Sequence, residues 1–382
     1  MTKRQHVYAV LGAGNGGLAM AGWLALHGFE TNLWNRTPTR LERVLADGHI
    51  KVQGIVEGNA TPCVVTTSLK EAVRGARVLM VVVPANAHRQ LASQLAPVLE
   101  PDHAIVLNPG RTGGALEFRQ VLAQVGCPAK VLVAEAQTFV FASRTVSPGT
   151  SHIYGMKRSV PLAAIPATDT VRVLSMLNPA FPQFYPARDV LDTSLDNMGA
   201  VFHPGVTLLN AGHIEATGGS FDYYWDGMTP AVAQVAGQID NERMAVAEAY
   251  GARVRSARQW LADAYGSLGH TLREAVLAND SYAGIPAPAS LDTRYLREDV
   301  PASLVPLSEL GRIAGVATPA IDAVISLASV IHECDYRVEG RNAQTMGLSG
   351  LSPADIRLLC ERGDVADGIA AGAQDADGSL PG

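Results

Sequence analysis

The 382-residue sequence has no apolar run approaching the roughly 18 residues of a membrane-spanning helix. Its longest apolar stretches, 78–84 and 323–331, fall well short. A positive surplus is also missing. Thirty Lys and Arg stand against 36 Asp and Glu, a formal net charge of −6, so nothing neutralises a phosphate backbone and nucleic acid is excluded as the main partner. Cys63, Cys127, Cys334 and Cys360 are far apart and form no CxxC or Cys/His cluster, which excludes a disulfide scaffold and a metal site of the zinc type. Residues 1–5 form a polar lead without the apolar segment of a secretory signal. The expectation is a soluble cytoplasmic protein that binds no membrane, no nucleic acid and no metal. Lysine is scarce as well: Lys3, Lys51, Lys70, Lys130 and Lys157 are all there are, and none follows position 157.

What the chain does have is a large apolar content, 47% against 17% charged residues, enough for a sizeable core, and a length that suggests two domains. The first half alternates strand-like and helix-like segments. Residues 7–11 read as a strand, 16–27 as a helix stopped by Gly28, and 30–34 as a second strand. Thr37-Pro38 then reads as the start of a helix reaching about Ala46. Further strands are expected at 64–67, 78–83, 104–107 and 130–134, with helical segments near 69–73, 88–99 and 116–125. Such alternation implies a parallel sheet with helices on both faces, an α/β Rossmann-type domain over residues 1–187. From 188 to 362 the pattern becomes helices joined by Gly/Pro loops, an all-α domain. Within it Thr229-Pro230 opens a long amphipathic helix to Tyr250 that Gly251 ends, and Ser352 with Asp355 forms a capping box. Residues 363–382, rich in Gly, Ala and Asp, read as a disordered tail.

Gly12-Ala13-Gly14-Asn15-Gly16-Gly17 gives GxGxxG between the first strand and the first helix, the context that gives this short pattern value. Gly12 permits a tight turn, Gly14 a close approach of backbone to a pyrophosphate, and Gly17 close packing of helix on strand. Asn15 begins the helix, whose free N–H groups favour phosphate. A dinucleotide cofactor is the expectation. Where an NAD site places an acidic residue against the ribose, this chain has Asn35-Arg36-Thr37. Arg36 suits a 2′-phosphate, with Asn35 and Thr37 as hydrogen-bonding neighbours, so NADP(H) is favoured over NAD(H). The other reading makes Arg36 a solvated charge and leaves Asn35 to an NAD ribose. Pro84, at the end of the strand 78–83, is expected beside the nicotinamide, followed by His88 and Arg89 at a helix start. Gly110 to Gly114 reads as a flexible loop, and Glu135 and Thr138 as neighbours of the site.

In the second half, 192–210 reads "DTSLDNMGAVFHPGVTLLN" and 291–311 reads "LDTRYLREDVPASLVPLSELG". With "NPGRTGGALEF" at 108–118, these stretches resemble the opine dehydrogenase family, which includes octopine and nopaline dehydrogenases, and within it most closely a bacterial branch. The resemblance runs from the glycine loop to about Leu359. It implies an NAD(P)-dependent oxidoreductase that joins an L-amino acid to a 2-oxo acid, pyruvate by default, and reduces the imine to a secondary-amine dicarboxylate. Residue by residue it implies a catalytic His203 oriented by Asp299, Arg294 for the 2-oxo acid carboxylate, and Asn197 near nicotinamide and substrate. Histidine suits proton exchange near neutral pH, and a carboxylate suits the task of orienting it. Pro204 after His203 breaks an otherwise apolar helical segment. On a straight helix, however, Asp196 shares the face of His203 and Asn197 lies roughly 120° away, so Asp196 competes as the orienting acid.

Tyr224 and Trp225, within "SFDYYWDGMTP" at 220–230, are candidates for the amino-acid side-chain pocket, although such aromatics serve a core equally well. A homodimer through the apolar helical domain is also expected. Two other readings remain at this stage. One is a 2-hydroxyacid or ketopantoate-type reductase, which conflicts with the absence of lysine from the helical half and leaves only Lys157. The other is a non-catalytic NADP-binding sensor, which has no need of His203, Arg294 and Asp299 together.

Overall fold

The computed structural model describes residues 7–364. The expected tail therefore lies, from residue 365 onward, outside the described residues. Twelve strands follow in chain order: β1 Tyr8–Leu11, β2 Thr31–Trp34, β3 Ile50–Gly54, β4 Gly58–Ala60, β5 Val64–Thr66, β6 Val78–Val81, β7 Ala104–Leu107, β8 Leu132–Ala136, β9 Phe141–Ser147, β10 Thr150–Met156, β11 Val160–Ile165 and β12 Phe184–Pro186. Eight of them form one sheet in the order β12-β11-β8-β7-β6-β1-β2-β5. All its pairings are parallel except β8 with β11. Residue alternation splits the central strands between two layers. Tyr8, Val10, Met80 and Val106 pack with Leu18 and Met20 of the helix Asn15–Leu26, whereas Leu11, Val81 and Leu107 pack with Leu91, Leu95 and Phe118. Both faces are covered, as near-continuous apolar strands require.

The second, four-stranded sheet, in the order β4-β3-β10-β9, is not foreseen in the sequence. Its β9 and β10 carry mostly exposed or half-buried residues, and they lack the continuous apolar runs that mark the central strands of the large sheet. A turn at Gly149 (φ +70°) joins β9 to β10, and the pair packs on the helix Asn15–Leu26. The helix expected from Thr37 is shorter than anticipated: one 3₁₀ turn at Pro38–Arg40, then a helix at Glu42–Asp47, with no capping bond from the Thr37 side chain.

After β12 the chain is helical, beginning at Val190–Leu195. The long helix Pro230–Ala249 starts as its residues dictate, with Thr229 Oγ1 accepting from the Val232 N–H and proline in the first turn. Around it pack Pro204–Leu209, Val305–Ala314 and Pro319–Ile331. The last helix, Pro353–Arg362, forms the expected Ser352–Asp355 capping box and returns to β11 of the large sheet.

Candidate active site

In an open parallel sheet, ligands sit past the carboxyl ends of strands where strand order reverses. Here that point lies between β1 and β6, and a cleft of about 770 Å³ opens there. Gly12, Gly14 and Asn15 line one part of it, Asn35, Arg36 and Thr37 another, and Pro84, Asn197, His203, Tyr224 and Arg294 the rest.

The glycine loop divides its roles as the sequence implies. Gly12 has φ +120°, and a Cβ there would strike the Val82 carbonyl. A Cβ on Gly17 would strike the carbonyl of Gly12, so this residue sets the approach of helix to loop. Gly14, by contrast, has open space where a Cβ would stand, and it lines the cleft. The cradle therefore fits a dinucleotide pyrophosphate. Asn35 is engaged within the protein: Oδ1 accepts from the Ala13 N–H at 2.9 Å and Nδ2 donates to the Thr37 carbonyl at 3.0 Å. It fastens the glycine loop to the end of β2. Arg36 remains exposed, with Nη1 donating to Gln90 at 2.7 Å.

His203 sits at a break. Pro204 has no N–H to donate, and the helix Gly199–Phe202 ends at His203 before Pro204–Leu209 begins. The imidazole at this break lines the cleft, where Nδ1 lies 2.8 Å from Asp299 Oδ2 and Tyr295 stacks on the ring at 4.2 Å and 16°. An ionised carboxylate only accepts, so Nδ1 carries the hydrogen and Nε2 is left for a ligand. Asp299 is buried behind the histidine, outside the cleft lining. Burial works against its charge, but the Arg111 guanidinium, 3.3 Å from Oδ1, and then His203 outweigh it and hold the carboxyl below the usual aspartate range. Asp196 is not the orienting acid. Its carboxylate is bound by Arg255, through the backbone N–H at 3.0 Å and the guanidinium at 2.6 Å.

Asn197 lines the cleft with both amide hydrogens in use, to Thr112 Oγ1 at 3.1 Å and Ser303 Oγ at 2.9 Å, so it offers a ligand only an oxygen lone pair. Arg294 stands at the rim, 65% exposed, with a 2.5 Å ion pair to Glu298. Trp225 is a correction: it is 41% exposed and does not line the cleft, although its neighbour Tyr224 does. Glu135 is another. Its carboxylate is buried under the loop, accepting from Thr193, Ser194 and the Ala115 N–H, and burial raises its pKa.

Several lining residues went unforeseen. Trp260, Tyr265 and Tyr282 extend Tyr224 into an aromatic wall, with Tyr224 stacked on Tyr282 at 4.0 Å. Trp260 and Tyr265 share the helix Ala257–Tyr265, but Tyr224 and Tyr282 come from turns distant from it and from each other, so no local pattern announces the wall. Arg111 and Glu298 pair across the cleft at 3.5 Å. Arg111 holds a left-handed backbone (φ +61°), and its only sequence signal is membership of the "NPGRTGGALEF" stretch. Residues 110–114 are not a free loop. Arg341, fully buried, donates to the carbonyls of Gly110 at 2.8 Å and Thr112 at 3.0 Å.

Residues 186–332 match the family model of the NAD/NADP octopine/nopaline dehydrogenase α-helical domain, and 8–110 that of the NAD-dependent glycerol-3-phosphate dehydrogenase N-terminus. An opine dehydrogenase of Arthrobacter sp. (strain 1C) is 42% identical over 355 residues, spanning 93% of this chain and 98% of that protein. In fold, the chain is similar to octopine dehydrogenase solved with NADH and L-arginine (TM-score 0.75, 24% identity, 92% of this chain and 97% of that one). It is similar too to yersinopine dehydrogenase solved with NADP⁺ (TM-score 0.70, 17% identity, 94% and 99%).

Proposed function

The chain belongs to the opine dehydrogenase family, and from that premise we propose how its cleft works. It is an NAD(P)-dependent oxidoreductase acting on a CH–NH bond. It condenses an L-amino acid with a 2-oxo acid, pyruvate first among them, and reduces the imine reversibly to an N-(1-carboxyalkyl) amino acid. The observation that carries this reading is the meeting of the glycine-loop crevice and the His203–Asp299 pair in one cleft.

Bound NAD(P)H supplies the hydride. The chain's residues bind, orient and move protons. The Gly12–Gly17 turn and the helix N-terminus at Asn15 hold the pyrophosphate, and Pro84 flanks the nicotinamide side. His203 Nε2 exchanges a proton with the carbinolamine oxygen or the amine nitrogen. Asp299 keeps the ring in the required tautomer and stabilises its charged form. Arg294 takes the 2-oxo acid carboxylate, Asn197 accepts from substrate through its oxygen, and the wall around Tyr224 takes an apolar amino-acid side chain. The test mixes protein, NADPH, pyruvate and a pool of amino acids and follows absorbance. Oxidation that requires both organic partners is the expected result. Oxidation with the 2-oxo acid alone would instead support a hydroxyacid reductase.

NADPH is the preferred coenzyme in this reading, because β2 ends without an acid and Arg36 is an exposed guanidinium at the cleft. A charge-assisted bond of this kind is worth about 1.5–3 kcal/mol, so the KM for NADPH should lie about tenfold or more below that for NADH. Arg36→Ala should erase the difference, and a wild-type preference for NADH would remove the idea.

We place the protein in the cytoplasm as a homodimer. Among the described residues no helix is long and apolar enough to cross a membrane. Leu327, Val330 and Ile331 leave an apolar stripe exposed on the helix Pro319–Ile331. Light scattering should report a dimer, and Val330→Glu should convert it to monomer; a monomeric wild type rejects the arrangement.

A further inference from the structure

Lysine is absent from the helical half, and the last lysine of the sequence, Lys157, follows β10. The fold carries it into the cleft, where it shares the lining with Gly14 and His203. Nζ donates to the Phe139 carbonyl at 2.7 Å, using one of its three hydrogens. Phe139 in turn stands over the glycine loop, its ring so close to Gly16 that a Cβ there would strike it.

The charges of the cleft make this lysine unusual. Arg36 and Arg40 lie in water. Arg111 is paired with Glu298 and Asp299, and Arg294 with Glu298, so those two cations and two anions balance. No described carboxylate lies within ion-pair distance of Lys157, and desolvation alone lowers its pKa to about 8. Lysine heads normally reach for water, and an ammonium withdrawn from it without an anion is costly. The ligands of this cleft are anions: two carboxylates from the substrates, or the phosphates of the coenzyme.

We propose that Lys157 is an anion-binding residue of the cleft, its ammonium holding a carboxylate of the bound substrates or a phosphate of the coenzyme. It is a binding group, separate from the proton exchange at His203. The inference rests on the function proposed above only for the identity of the substrates.

The first experiment needs no variant. Trace acylation of lysines, mapped peptide by peptide, is run on the free protein, with NADPH, and with NADPH plus a secondary-amine dicarboxylate. Lys51, Lys70 and Lys130 are exposed and serve as internal references. Labelling of Lys157 should fall at least about fivefold relative to them. Protection by NADPH alone identifies a phosphate, and protection only when the dicarboxylate is added identifies a carboxylate. In parallel, Lys157→Met should raise either the Kd for NADPH or the KM of one organic substrate by about 10- to 100-fold, the range for a bond to a charged group. Lys157→Arg should recover most of it. Unaltered labelling in every arm overturns the proposal, as does a Lys157→Met protein whose constants stay within about twofold of wild type. If NADPH protects Lys157 yet no pair of amino acid and 2-oxo acid is consumed, the anion site stands and the proposed function falls.

Discussion

Replacing His203 with alanine should lower kcat by about 10²- to 10⁴-fold, the usual contribution of a positioned acid–base group, while leaving the Kd for NADPH within about twofold. The split follows from position. The imidazole meets Asp299 through Nδ1 and Tyr295 through its face, whereas the dinucleotide cradle is built from the glycine loop and the end of β2. Removing the ring therefore removes the proton exchange without disturbing the cradle. Coenzyme fluorescence titration gives the Kd and initial rates give kcat. A variant turning over at near-normal rate would rule out proton exchange at this residue, and a lost Kd would mean that the ring supports the cradle instead.

How much of this was legible beforehand differs from element to element. The glycine loop could be read because its task is local: a turn, a close approach and a packing contact, each needing glycine within six consecutive positions. The His203–Asp299 pair could not be read from spacing. The two lie 96 residues apart, and helical spacing pointed instead to Asp196, which the fold gives to Arg255. Family resemblance supplied that pairing. The small sheet escaped notice because its less exposed positions include Ser143, Thr145 and Ser151 in place of large apolar residues, so the apolar alternation of a half-buried strand is weak. The aromatic wall escaped for another reason: Tyr224, Trp260 and Tyr282 meet only in the folded chain. Trp225, one residue from Tyr224, shows how little a neighbouring position says about facing the same cavity.

The loop 110–114 was misread because glycine reports freedom in the unfolded chain, not the anchors that fold onto it. Those anchors come from Arg341, about 230 residues later, and replacing it with leucine should cost about 3–5 kcal/mol, the range for breaking a buried ion pair. Its Nε donates to Glu117 at 2.8 Å, one Nη1 serves Gly110 and Thr112, and Nη2 reaches the Ala85 carbonyl at 3.2 Å and His88 Nδ1 at 3.0 Å. Leucine would leave those acceptors buried without donors, and Glu117 would keep only Arg89, whose side chain is 41% exposed. Arg89→Ala, at the same carboxylate, should cost no more than about 1 kcal/mol because its pair stands partly in water. Urea unfolding compares the two variants directly, and equal midpoints would show that Arg341 is not the anchor. The loop also carries Arg111, whose guanidinium lies 3.3 Å from Asp299, so Arg341→Leu should depress kcat even where the protein remains folded. That second effect separates an anchor that holds the active-site geometry from one that merely ties two halves of the chain together.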